Sequence, residues 1–131
     1  MNDEDFLRQL GDCTLPPQHF NHLGHVRLAW LNLRRRPFGQ AVQHTCGTIR
    51  NYATHLGASG KFHCTVTTAL VHLLREAGAC RPDLDWEGFL CEAAPLLADA
   101  RGRLSLHYSE GVLASEAARQ AFVPPDRAPL P

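Results

Sequence analysis

Apolar residues recur at helical spacing along most of this chain, and the breaks between the runs fall at glycine, proline and short polar residues. Phe6, Leu7 and Leu10 mark a first helix over residues 3–11, which Gly11 and the Pro16-Pro17 pair bring to an end. A loop over Thr14 to His19 leads to Asn21, whose short polar side chain suits a helix N-cap. The second helix is predicted from about His22 to Arg36. On it His22, Val26, Ala29 and Leu33 form one stripe, flanked by His25 and Trp30, so both histidines are expected to face inward. Gly24 is costly in a first turn, which points to close approach of another backbone or of a ligand.

Pro37 ends that helix and opens the third, whose buried stripe is predicted to be Phe38, Ala41, Val42, Cys46, Ile49, Ala53 and Leu56, with His44 exposed. Gly57-Ala58-Ser59-Gly60 breaks it. A fourth helix begins near Cys64 or Thr65, and Val66, Leu70, Leu73 and Ala77 continue a face that His63 starts, leaving His72 on the other side. Asp85 caps a fifth helix carrying Trp86, Phe89, Leu90 and Ala93, and Pro95 forces a kink or an end. Leu104 to Tyr108 is short and ambiguous; Ser109 and Ser115 are good N-caps, and Glu116 to Phe122 makes a last short helix. No alternating run is long enough for a sheet. The pattern predicts an all-α, single-domain bundle of five to six helices over residues 1–122. An extended proline-rich tail, 123–131, is expected to pack on or over it.

Composition narrows the function. A chain of 131 residues can bury one core without a metal to hold it together, so a bound metal would be functional. Thirteen basic residues balance 13 acidic ones, which removes the usual electrostatic footprint of nucleic-acid or membrane-surface binding. No stretch has the length of a membrane span, and the acidic start Met1-Asn2-Asp3-Glu4-Asp5 is the reverse of a secretory or mitochondrial leader, so a cytoplasmic protein is expected. Five widely spaced cysteines without a C-x-x-C pair read as reduced thiols.

Eight histidines are the unusual feature. His22, His25 and His63 all fall at predicted helix starts, where the helix dipole keeps an imidazole neutral and able to bind metal. Residues three apart on a helix lie close enough for two rings to share one ion, with the third ligand supplied by another helix. Three imidazoles and an open position suit catalytic zinc, and also iron, copper or nickel. The expected protein is therefore a small metal-dependent enzyme acting on a small-molecule substrate. Around that site, Arg27 is a candidate for a substrate carboxylate or phosphate, Cys64 for a ligand at an irregular helix start, Thr65 and Thr67 for the pocket lining, Tyr108 for a proton donor, and Asp126 for orienting a ligand histidine. Each has a structural alternative: a capping histidine or threonine, a buried inert thiol, a surface salt bridge, a polar-tipped rim residue. Two other functions fit the same chain. One is a metal-free lyase or isomerase using histidine as acid and base; the other is a non-catalytic helical binding module that docks through its tail.

Phe20-x-His22-x-x-His25-Val26-Arg27-x-Ala29-Trp30, Phe62-His63-x-Thr65-Val66-Thr67 and Pro125-Asp126-x-Ala128-Pro129-Leu130-Pro131 together resemble an uncharacterised family of small helical bacterial proteins, over most of the chain from Phe20 to Pro131. Several such sequences carry glutamate directly after the second block's histidine, where this chain has Cys64. Any role of that carboxylate is absent or altered here. The resemblance implies that His22, His25 and His63 form one constellation, and it implies no activity, substrate or cofactor.

Overall fold

Nine α-helices, two 3-10 turns and one π-turn make up the computed structural model, which describes residues 1–131 and has no strand. Backbone contacts divide the chain into two compact units, Met1–Phe62 and His63–Pro131.

The first unit holds three helices. Helix α1, Asp3–Gly11, is capped by the Asn2 side chain, which accepts from the Asp5 amide at 2.8 Å, and it buries Phe6 and Leu10. The 3-10 turn Pro17–His19 delivers the chain to α2, His22–Arg35, and a sharp corner at Arg36-Pro37 starts α3, Phe38–His55. Helix α3 packs against both α1 and α2. Its most buried line is Ala41, Thr45, Ile49 and Tyr52, rotated from the expected stripe, and Leu56 is left 46% exposed. The rotation has a polar cause. Thr45 accepts a hydrogen bond from the Asn32 amide at 3.0 Å inside the α2–α3 contact, and the buried Tyr52 hydroxyl donates to the Leu15 carbonyl. Both side chains are satisfied indoors, which a reading by apolarity alone ranks too low.

Arg27 straps α2 to α1. Its guanidinium meets Asp3 at 2.7 Å, donates to the Met1 carbonyl at 2.9 Å and lies over the Phe6 ring, 4.5 Å from its centroid.

In the second unit, α4, Cys64–Leu74, runs into the π-turn Arg75–Ala79, within which Gly78 takes a left-handed conformation (φ 115°). Short helices come next: α5, Trp86–Glu92, packs on the π-turn; α6 is Ala94–Ala98 and α7 Ala100–Ser105; α8 is Glu110–Leu113 and α9 Glu116–Gln120. Helix α4 packs against α7 and α9. Nine helices stand where five or six were expected because the stop signals act separately. Pro95 sits in the first turn of α6, and Asp85, Asp99, Ser109 and Ser115 each bond an amide three residues on, restarting the helix. The last helix stops at Gln120, short of Phe122, which is 44% exposed.

Beyond it no residue is helical. Residues of this terminal segment are bonded to earlier parts of the second unit: the Arg127 amide donates to the His107 carbonyl at 3.0 Å and the Ser109 amide to Asp126 at 2.8 Å.

Gly24 shows why the start of α2 takes the shape it does. A β-carbon there would lie 2.9 Å from the His19 carbonyl oxygen and 3.2 Å from the Phe20 ring, so the close approach expected at this glycine is to backbone. Gly47, mid-helix in α3, has nothing within 4 Å. Opposite signs are therefore expected for one substitution: Gly24→Ala lowers stability by about 1 kcal/mol or more through the clash, while Gly47→Ala raises it by up to about 1 kcal/mol through helix propensity. Urea denaturation of the two variants checks this, and a stabilised Gly24→Ala contradicts it.

Candidate functional site

Asn21 builds the candidate site at the head of α2. Its side-chain oxygen accepts from the Gly24 amide at 2.9 Å, and its carbonyl accepts from His25 Nδ1 at 2.8 Å. A carbonyl only accepts, so the His25 proton sits on Nδ1 and Nε2 keeps a free lone pair. The ring is also held from one side. It stacks on Phe20, centroids 4.0 Å apart and planes 20° from parallel, and Phe20 meets the edge of Tyr52 at 5.2 Å. Loss of water around the ring pushes the imidazole down from its ordinary value; the Asn21 carbonyl opposes this, and the charge of nearby His22 adds to it.

Both histidines of this pair are exposed, which corrects the expectation that they face inward. Val26, Ala29 and Leu33 are buried as the stripe requires, but the packed part of α2 begins only at the second turn. Helical side chains lean toward the N-terminus, so His25 folds back over Phe20 while keeping exposed surface.

His63 has a different role. It is the N-cap of α4: Nδ1 accepts from the Val66 amide at 3.1 Å, and Nε2 donates to the Leu113 carbonyl at 2.7 Å. Both ring nitrogens are thereby occupied. As placed, this half-buried imidazole has no lone pair to offer an ion and does not fit a metal ligand. No group of three or more histidine, cysteine, aspartate or glutamate side chains is arranged to hold one. This is the structural alternative of a capping histidine that the sequence offers at a helix start.

Thr65 is fully buried. Its hydroxyl donates to the Ala121 carbonyl at 2.9 Å and accepts from the Val123 amide at 3.1 Å, tying the start of α4 to the chain leaving α9. Tyr108, expected as a proton donor, is also fully buried and gives its proton to the Val123 carbonyl at 2.7 Å. Burial, reinforced by the charge of Asp126, pushes its pKa up to about 12, which suits a fixed hydrogen bond and not proton transfer at neutral pH. Asp126 does not orient a histidine. It accepts from the Ser109 amide, and that bond holds its carboxyl below the usual range. Cys64 is a half-buried free thiol, Thr67 is half-buried on α4, and Arg27 is committed to the α1 contact.

No family model matches this chain, and neither the curated proteins nor the solved structures provide a match.

Two outcomes are expected. Because His25 is held below the ordinary imidazole value of 6.5, its stabilising contribution is complete above pH of about 6.5 and declines as pH falls toward the folded value. NMR titration should place its midpoint below 6.5, and His25→Gln should flatten that part of the stability profile; an unshifted midpoint contradicts the account. Thr65→Val keeps the shape but removes both hydroxyl bonds, and should cost about 1–3 kcal/mol in urea denaturation.

Proposed function

We propose that this chain is a small metal-binding protein acting on a small molecule, with His22 and His25 as its ligand pair and His63 as a structural cap. The observation that carries the reading is the His25 Nδ1–H bond to the Asn21 carbonyl. Metal-binding histidines characteristically anchor one ring nitrogen in this way, which fixes the tautomer and directs the other nitrogen's lone pair at the ion. A lowered proton affinity helps, since a proton competes with an ion for Nε2. His22 lies one turn earlier on α2, at a spacing that lets two imidazoles share one ion. Two protein ligands leave positions for water or substrate, and a zinc, iron, copper or nickel ion there would supply Lewis-acid activation. Five free cysteines support a reducing, cytoplasmic setting.

The same geometry favours a second reading, a metal-free lyase or isomerase. A neutral His25 with a fixed tautomer and an available Nε2 has the properties of a general base, with exposed His22 beside it as the acid.

Calorimetric titration of the untagged chain with zinc, copper and nickel separates these. Under the first reading, His22→Ala and His25→Ala weaken binding by about ten-fold or more, while His63→Asn, which keeps a capping acceptor, binds as the parent does. Equal affinity in parent and His25→Ala overturns the ligand pair. Chelator-resistant turnover lost in His25→Ala would instead establish the acid–base reading.

A further inference from the structure

The second unit carries a cleft of about 540 Å³ that no candidate residue of the histidine reading explains. Its size lies within the range of small-molecule sites. Four segments wall it. The π-turn after α4 contributes Glu76 and Ala77, the α5–α6 region Glu92 and Leu96, the end of α7 Arg103 with Leu106 and His107 beyond it, and the terminal segment Pro129 and Pro131, whose carbonyl is bonded by His72 at 2.9 Å. The π-turn closes α4 on the left-handed Gly78, an ordinary helix end that leaves Glu76 exposed on the wall.

The polar groups on these walls have capacity to spare. Glu76 and Arg103 take part in no ion pair, and Glu92 reaches only Arg81, at 4.0 Å. His107 donates its Nδ1 proton to the Ala128 carbonyl at 3.0 Å, so its ring keeps Nε2 as an acceptor on the cleft wall. Leu73 and Leu96 are buried beneath, and Leu106, 60% exposed, stands at the rim. Two carboxylates and an imidazole acceptor suit an ammonium group, one guanidinium suits a carboxylate, and leucine and proline surfaces suit a hydrocarbon body.

We propose that this cleft binds a free α-amino acid with an apolar side chain. The ammonium lies between Glu76 and Glu92, the carboxylate on Arg103, and the side chain on the leucine floor. This site is independent of the His22–His25 pair, and neither assignment depends on the other.

Two-dimensional amide NMR of the full chain tests it with three probes: leucine, isopentylamine, which lacks the carboxylate, and 4-methylpentanoate, which lacks the ammonium. Saturable shifts are expected at residues 76–77, 92 and 103–107, strongest with leucine, weaker with the amine and weakest with the acid. Glu76 is exposed, so Glu76→Gln should fold normally and bind leucine about ten-fold more weakly. Arg103→Gln should bring leucine down to the level of the amine. The proposal is overturned if no probe gives saturable shifts, if the shifts centre elsewhere, if the acid or the amine binds as tightly as leucine, or if Glu76→Gln binds as the parent does.

Discussion

A helix leaves its first amides without partners, and a chain broken into nine helices meets that demand nine times. Seven of the starts are met by side chains: Asn2, Asn21, His63, Asp85, Asp99, Ser109 and Ser115. The demand shapes function as well as fold. At α4 it occupies a histidine, taking His63 Nδ1 for an amide and leaving Nε2 to bond Leu113. At α2 an asparagine meets it instead, and the backbone carbonyl of that asparagine is then placed to hold His25 by one nitrogen while the other stays available. The difference between a structural and a chemically available histidine in this chain is the identity of the capping residue.

Much of the fold was legible for the same reason. Asn21, Asp85, Ser109 and Ser115 are short polar residues before helical runs, and each caps as its sequence position indicates. Gly24 signalled close packing and Pro37 the corner before α3. Side chains that behave against type escaped the sequence. Thr45, Tyr52 and Thr65 are buried because each hydroxyl has a specific partner, two of them far along the chain, and no local window contains those partners. The orientation of the His22–His25 pair was misread. The stripe through Val26, Ala29 and Leu33 is real, but extrapolating it back one turn to His22 assumed that packing reaches the helix end.

The two units solve their burial problem differently. The first has the two longest helices, α2 and α3, with an aromatic and cation–π cluster of Phe6, Phe20, Tyr52 and Arg27 around the loop that leads into α2. The second has mostly very short helices, and it joins them through hydrogen bonds between the terminal segment and Thr65, Tyr108, His107 and Ser109. Polar contacts there take the part that an apolar stripe takes in the first unit.

The Thr65 hydroxyl makes that arrangement cooperative. By accepting from Val123, 58 positions away, it closes a loop that contains α4 through α9. Closing so long a loop costs entropy once, and every short helix inside shares the benefit. The terminal segment and the first turn of α4 should then open as one step, with amides at both ends exchanging with solvent at a common rate instead of fraying one by one.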